Sequence, residues 1–575
     1  MRIVHIEIEH FRGIDHCEWS PNAGLNCLIG PGDSTKTTIL DALQLALTPR
    51  PNTMLSDADF YNLDTDREIK ITITVGDLPD DFRDEDRYGL YLRGWNGEAH
   101  TLEDEPAEHL DDALSVRVTV DKNLEPRWSL FNKRIEAEES DPPALRYKDA
   151  QLVVPVRLGA YAERHLAWGR QSVLTRLSQN KEKATEQLAV TGRAARAAFK
   201  NLESVPFSGI AEDVQKVSKR FLVPVRDAYR AGLDLDTVNI TSGGVALHDG
   251  DLPLRQLGTG STRLLVAAIQ RQVGADAPIT LVDEIEHGLE PHRISRLLKY
   301  LCEPGGEGGS LQTFMTTHSV VTLLELDVEQ LFSVRSVGGA TSVQRTNYSD
   351  SNIAQRHVRR MPEAFLAPRV IVCEGRTELG LLRGLDKRWV TCGSDSFAYA
   401  GVVSVDGEGL PKAPLLADHL VGLGHDVLLF IDGDREPDAK VAARIEAAGG
   451  KIVMWPDGSC TETRIFADAP WALARSTILW IAREEGDSGI QSVTDILNAH
   501  CEKQGHTKIQ DLELPPSLDT APFRKVLGEA ARNAKWFKNI YAGERFGWLL
   551  GCQADLIEGK PLANGINAIR EWVDA

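Results

Sequence analysis

Three acidic residues stand where chemistry could be done. Glu374 lies in V-I-V-C-E-G-R-T-E, which begins at Val370, and Asp432 and Asp434 lie in L-L-F-I-D-G-D. Each motif directly follows a short apolar run, the pattern of a buried parallel strand that ends at a ligand-facing loop. Carboxylates delivered in this way can meet at the carboxyl edge of one sheet. Oxygen ligands converging on one point suit Mg²⁺ or Mn²⁺, which bridge to substrate phosphates. Gly433, between the two aspartates, is expected to let the backbone turn tightly while both carboxylates face one ion. Glu378 follows Glu374 by four residues, so the two share a helical face if a helix begins at the turn. The strand-like K-I-V-M-W and T-E-T-R-I-F place Glu462 just past a strand, where another metal ligand could enter, with Asp457 and Asp511 as alternatives. Lys538, in W-F-K-N-I-Y, is suited to neutralise charge in a phosphorane-like transition state. Two cations about 4 Å apart would stabilise the attacking water and the leaving oxygen of phosphodiester hydrolysis.

A second constellation occupies the first half of the chain. The apolar run L-N-C-L-I at 25–29 leads into G-P-G-D-S-T-K-T-T and then an apolar helix from Ile39 to Leu47. Strand, glycine-rich loop and helix in that order make a phosphate-binding loop. Lys36 would reach the β and γ phosphates, Thr37 would hold Mg²⁺, and the amides from Gly32 to Thr37 would cradle oxygens at the helix N-terminus. The nucleotide-binding set is Gly30, Gly32, Asp33, Ser34, Thr35, Lys36, Thr37 and Thr38. Thr35 stands where the usual pattern has glycine, and strain there is on the order of 1–3 kcal/mol if the usual geometry is kept. Downstream, a glycine-rich turn at Gly258–Ser261 opens an apolar helix, a strand ends in Asp283 and Glu284, and F-M-T-T-H-S ends another with His318.

These motifs need a scaffold, and the chain is long enough to supply more than one. At 575 residues it exceeds one ordinary core, so two or three domains are expected. The hydrophobic fraction of 42% is that of a globular protein. No apolar run spans a bilayer and the N-terminus has no signal-peptide core, so a cytoplasmic protein without a membrane partner is expected. Eight cysteines without a C-x-x-C pair indicate neither a zinc site nor a disulfide framework. The net charge of -20 argues against coating DNA generally, so any nucleic-acid contact is local. Strand-like runs fill 69–158. A basic helical segment comes next, with Arg164, Arg170, Arg176, Lys181, Lys183, Arg193, Arg196 and Lys200, suited to dimerise or touch DNA. A polar stretch after Asn347, with Arg356, His357, Arg359, Arg360 and Arg369, reads as a linker stiffened by Pro362 and Pro368.

The phosphate loop, V-D-E, T-T-H-S and the turn at Gly258 resemble, in this order, the ATP-binding-cassette ATPases of the SMC and DNA-repair type. The acidic motifs after Val370 resemble a Toprim domain, a metal-dependent phosphoryl-transfer module. Together, ATPase head, short helical insertion and C-terminal Toprim domain resemble the OLD (overcoming lysogenisation defect) family of nucleases. The resemblance implies an α/β fold with these boundaries: 1–160 and 236–346 as the two ATPase halves, 161–235 as a helical insertion, 347–368 as a linker and 369–575 as the Toprim domain with a helical insertion. It further implies that Asp283 holds the Mg²⁺ water shell, that Glu284 polarises the attacking water and that His318 senses the γ-phosphate. Gly260 and Ser261 would contact ATP on an opposite subunit, and the stretch from Glu286 to Pro291 would link the two sites. Gln44, on the helix after the phosphate loop, is misplaced for the glutamine such ATPases use. The family implies an ATP-regulated, Mg²⁺- or Mn²⁺-dependent DNA endonuclease or nickase used against phage, a homodimer or higher homo-oligomer, sometimes beside a helicase or reverse-transcriptase partner. Two rival readings are a DNA-binding sensor or tether with a silent Toprim module, and a strand-passing enzyme using Tyr399 or Tyr541.

Overall fold

Alternating apolar and polar residues turn the N-terminal part of the chain into strands, while continuous apolar runs near the phosphate loop and after residue 369 give strands buried on both faces. The computed structural model describes the chain except for residues 50–53, 135–142, 146, most of 159–207, 221–244 apart from 228 and 229, 274–278, 303–311, 347–349, 485 and 487. Of the predicted basic segment, Arg170, Arg176, Lys181, Lys183, Arg196 and Lys200 lie outside the described residues; a helix at Ser208–Arg220 is described. The chain divides into two units. One holds residues 1–28, 35–322 and 337–341, and the other 29–34, 323–336 and 342–575.

The first unit has two runs of paired strands. β1 (Arg2–Phe11), β2 (Ile14–Trp19), β4 (Ile69–Gly76), β5 (Leu92–Asn96), β6 (Thr101–Glu103), β7 (Asp111–Val120) and β8 (Pro126–Phe131) pair antiparallel. β3 (Leu25–Ile29), β13 (Gln312–Thr316), β12 (Ile279–Val282) and β9 (Val156–Leu158) pair parallel in that order. A short hairpin of β10 (His248–Asp249) and β11 (Leu252–Pro253) precedes the helix Thr259–Val273. Because β12 and β13 run parallel, Asp283 and His318 both leave the sheet at one edge. β14 (Leu331–Val337) and β15 (Ala340–Arg345), neighbouring strands joined through Gly338 and Gly339, are divided between the two units.

The second unit is built on a four-stranded parallel sheet, ordered β17 (Val402–Asp406), β16 (Arg369–Cys373), β18 (Asp426–Ile431), β19 (Lys451–Met454). The chain runs from β16 outward to β17 and then back across to β18, so the order reverses between β16 and β18. A crevice outside the carboxyl ends at such a point is where open parallel sheets bind ligands. The helices of this unit include α1 (Ser351–Arg360), α2 (Arg376–Thr391), α3 (Ala413–Gly422), α4 (Thr461–Asp468) and α5 (Ile540–Gly551).

Three expectations change here. The stretch read as a linker is folded: Asp350 caps α1 by accepting from the amides of Asn352 and Ile353, and Ala354, His357 and Val358 are buried along one face. T-E-T-R-I-F is helical, forming α4, so Glu462 sits in a first helical turn and not beyond a strand. Glu374 and Glu378 do not share a helical face, because α2 begins at Arg376 and Glu374 precedes it.

Glycine decides how α2 and α5 meet. A Cβ on Gly384 would lie 2.0 Å from the Glu544 carbonyl oxygen, and one on Gly547 would lie 2.2 Å from that of Leu381. The backbones of Gly380 and Gly543 likewise touch, since a Cβ on either would lie 3.0 Å from the other's Cα. The two helices therefore pack backbone to backbone, at a separation that only hydrogen side chains allow.

Candidate functional site

The acidic motifs of the second unit converge. Glu374 follows β16, its amide donating to the Phe430 carbonyl at 2.8 Å, and Asp432 follows β18. The Asp432 amide donates to Glu374 Oε2 at 2.9 Å, which fixes one carboxylate against the backbone carrying the other. Thr461, at the start of α4, donates both its amide (2.8 Å) and its hydroxyl (2.9 Å) to Asp432 Oδ1. The Trp455 indole donates to the same hydroxyl at 2.6 Å. Glu378 accepts from the Gly375 amide at 2.9 Å, and the Thr377 hydroxyl lies 3.4 Å from Glu462 Oε1 and 3.2 Å from the Phe537 carbonyl. That last contact ties the segment bearing Lys538 to the start of α2.

Glu374, Glu378, Asp432, Glu462 and Lys538 line one cleft of about 250 Å³, with Asp406 and Glu408 on its wall. Glu378 and Glu462 are each only 4% exposed. Burial first, then mutual repulsion, lifts the carboxyls: Glu378 to about 7, with Glu462 and Glu374 contributing, and Asp432 to about 8, with Glu378, Glu374 and Glu462 contributing. Glu374 is also raised by burial and by Asp434, against the lowering effect of its hydrogen bonds and Lys538. Oxygen donors crowded until they resist ionising together are the set a divalent cation suits, so Glu374, Glu378, Asp432 and Glu462 could hold Mg²⁺ or Mn²⁺.

Asp434 differs from the expectation. It is not among the cleft-lining residues, and its carboxylate is held by Arg532. Gly433 is required for another reason than a turn: a Cβ there would lie 1.8 Å from the Trp455 carbonyl oxygen. Asp457 is exposed and faces Arg464 at 3.8 Å, and Asp511 accepts from the Glu513 amide. Neither of them, nor Tyr399 or Tyr541, lines the cleft. Sequence reasoning missed Cys460, whose sulfur lies within 4.8 Å of ligand atoms of Asp432 and Glu462. Its one signal was its position immediately before T-E-T-R.

In the first unit the helix Lys36–Leu47 starts at the phosphate-loop lysine, which is buried. Thr35 caps it at φ 65, keeping the left-handed geometry that the usual glycine of such loops adopts; Gly30 has φ 141 and Asp33 φ 57. The Thr37 hydroxyl donates to Asp283 Oδ1 at 3.1 Å, and the Thr316 hydroxyl donates to the same oxygen at 2.8 Å. Arg157 donates to Asp283 Oδ2 at 3.0 Å and to Gln44 at 2.8 Å, and pairs with Asp41. Glu284 takes φ 44, its amide donating to Thr316 Oγ1 at 2.8 Å. Glu286 accepts from the Thr317 hydroxyl and the His318 amide, each at 2.7 Å, and His318 is lowered by burial and by Lys36. Gly260 and Ser261 lie in the first turn of the helix Thr259–Val273, where a Cβ on Gly260 would lie 2.2 Å from the Gly288 carbonyl oxygen and Arg293 donates to Ser261 Oγ at 3.3 Å. Buried Arg263 donates to the carbonyls of Asp283, Glu284 and His287 (2.7 to 2.9 Å), fixing the loop after β12. Arg157 and Arg263 were not singled out from the sequence; a charge at the end of the apolar run L-V-V-P-V-R-L was the available sign of the first.

Residues 25–325 match the family model described as "AAA domain, putative AbiEii toxin, Type IV TA system". The chain belongs to this family. The matched stretch is accordingly an AAA-type ATPase domain, and it includes Gly30 to Thr38, Asp283 and His318. Among solved structures, the chain is similar to an SmcHead bound to the C-winged helix domain of ScpA, at 15% identity over 60% of this chain and 97% of that one, TM-score 0.34. It is also similar to the SMC head domain from Thermotoga maritima, at 12% identity over 60% and 100%, TM-score 0.28. An Smc head domain with an extended coiled coil, bound to the C-terminal domain of ScpA derived from Pyrococcus furiosus, gives 13% identity over 59% and 95%, TM-score 0.33. Such scores fall short of a shared overall fold, and the family assignment stands on the match to residues 25–325. No curated protein matches the chain. No helix among the described residues is long and apolar enough to cross a membrane.

Proposed function

We propose that this protein is an ATP-regulated, divalent-metal-dependent DNA endonuclease or nickase of the OLD type, whose second unit is a Toprim-like nuclease domain, and that it serves bacterial antiphage defence as a homodimer or higher homo-oligomer. The observation that carries the reading is the meeting of Glu374, Glu378, Asp432, Glu462 and Lys538 in one cleft, where burial and neighbouring carboxylates raise the carboxyls of Glu378 and Asp432. Bound Mg²⁺ or Mn²⁺ would supply an activated water and stabilise the leaving oxygen. The chain's own part is positional. Thr461 and the Asp432 amide orient the two central carboxylates, and Lys538 faces the same cleft as the cation that offsets charge building on a cleaved phosphate.

Lys36, Thr37 and Asp283 are the residues to hold ATP and its Mg²⁺, with Glu284 and His318 serving hydrolysis and Gly260 and Ser261 a partner's nucleotide. Nucleotide regulates by binding one arrangement of subunits better than another, since an effector shifts an equilibrium only by differential affinity. The second reading, a DNA-binding sensor with a silent second unit, has one observation in its favour, the Arg532 ion pair that holds Asp434.

Incubation of supercoiled plasmid with protein and Mg²⁺ or Mn²⁺ tests the two. Open-circle or linear product that disappears with Asp432→Ala, while ATP binding persists, is the expected result. Undiminished cutting by that variant would overturn the site assignment. Intact plasmid under every metal would leave the sensor.

A further inference from the structure

Beside the acid cleft lies a second small cavity, and it is basic. Arg356, His357 and Arg360 of α1, with Lys412 and Leu416 at the start of α3, line it together with Gly407 and Glu408. Glu408 also lines the acid cleft, so one residue forms the partition between the two. The partition is clamped: the Gly407 amide donates to the Cys373 carbonyl at 2.8 Å and the Gly409 amide to that of Glu374 at 2.7 Å. Glu408 itself sits at φ 61, with Lys412 at 3.1 Å and Arg360 at 3.8 Å. The Glu408 carboxylate is thus the resident anion of a three-cation cluster, at the positive end of the α3 dipole.

Among the described residues, these cations have no ion-pair partner outside the cluster. Of the basic residues clustered in this stretch, Arg359 pairs with Asp327 and Arg369 with Asp426, whereas Arg356 and Arg360 face the cavity. His357 supplies a second observation. It is 4% exposed, its Nδ1 lies 3.2 Å from His419 Nδ1, and its Nε2 has no hydrogen-bond partner among the described residues. His419 Nε2 faces the Thr346 carbonyl at 2.8 Å and must donate there, so His419 Nδ1 accepts from His357 and the buried His357 Nε2 is a bare lone pair. The enclosed space is about 10 Å³, room for one water, which could donate to that lone pair and to an anion held by the cations.

We propose that Arg356, Arg360 and Lys412 seat a phosphate of a nucleic-acid strand next to the one presented to the acid cleft, displacing the Glu408 carboxylate. This rests on the reading of that cleft as a phosphodiester-cleaving site. Three contacts to a single strand contribute a salt slope of about 2.

The test uses the full chain and a fluorescent single-stranded oligonucleotide, titrated without divalent metal over a range of salt. The triple variant Arg356→Ala, Arg360→Ala, Lys412→Ala, with wild-type melting as the folding check, should lose about ten-fold or more in affinity. Its slope in log K against log salt should fall by about 2. In plasmid cleavage its KM should rise while kcat stays within about two-fold. Glu408→Gln, which removes the resident anion, should tighten binding about five-fold. Unchanged affinity and slope in the triple variant, or weaker binding by Glu408→Gln, would overturn the seat. Inorganic phosphate should compete with the oligonucleotide in wild type but not in the triple variant. Phosphate binding lost in the triple variant, with oligonucleotide binding intact, would assign the cluster to free phosphate and reject the strand. Failure of the cleft reading is separable, because it appears as cutting retained by Asp432→Ala.

Discussion

Both candidate sites lie where parallel strands end, yet their charges are handled in opposite ways. In the first unit the acids at the strand ends are hydrogen-bonded by neutral and basic groups: Asp283 takes hydrogen bonds from Thr37, Thr316 and Arg157, and Glu286 takes them from Thr317 and His318. In the second unit Glu374, Glu378, Asp432 and Glu462 face one cleft whose lining cations are Lys538 and Arg376, the latter 3.4 Å from Asp406, and burial and repulsion raise the carboxyls of Glu374, Glu378 and Asp432. A balanced network holds its shape without help and suits a ligand that brings its own charge and metal. An unbalanced one stores repulsion that a divalent cation relieves. On the proposed function, the contrast separates a site preformed for nucleotide from one completed by metal.

The sharpest way to break the contrast is at Lys36. Lys36→Ala should weaken ATP binding about 100-fold, or about 2.7 kcal/mol, by calorimetry. Stabilisation of the same variant by Mn²⁺ should persist, because the acid cleft is untouched. Normal ATP affinity would remove the phosphate-loop reading.

A smaller effect separates the sites by pH. The raised carboxyls bind protons more tightly folded than unfolded, so their contribution to stability is complete below about pH 4 and is lost as pH rises through about 7 to 8. Thermal melting of metal-free protein should therefore show that loss between pH 5 and 8 when compared with Glu378→Gln, whose loss is smaller. Saturating Mn²⁺ should restore about 2–3 kcal/mol at the upper end. A metal-free protein with no such difference between wild type and variant would mean that the carboxyls are not confined together.

The smallest effect belongs to Thr35. Relief of its left-handed backbone by Thr35→Gly should stabilise the protein by about 0.5–1 kcal/mol in urea titration, less than the strain itself because glycine is freer when unfolded. A loss of stability would show that the hydrogen bond between the Thr35 and Thr341 hydroxyls, 3.2 Å, outweighs the strain.

What the sequence revealed was local. Apolar runs ending in Glu374, Asp432, Asp283 and His318 announce strands and the residues just past them, because burial on two faces leaves a continuous signature. The strain at Thr35 was readable too, from one departure in a loop of fixed geometry. Partners brought from afar left no comparable mark: Arg157 and Arg532 reach Asp283 and Asp434 only through the tertiary fold. Short segments misled where two periods fit equally, as in T-E-T-R-I-F, which is helical. Polarity also misled in α1, where charged residues on one side hid the buried face that includes His357. Cys460 escaped notice because a lone thiol has no spacing to recognise.

The bare backbones of α2 and α5 carry a consequence for how this protein can change. Glu378 belongs to the opening turn of one helix, and Lys538 stands two residues before the other begins. With no side chains in the seam at Gly384 and Gly547, there is nothing there to trim or regrow, so natural variation has no gradual route for adjusting the spacing between that acid and that base. A single methyl would act as a wedge driven at the far end of a lever. Innovation in substrate would have to come from the rim, while this pair of helices stays as fixed as a machine bed.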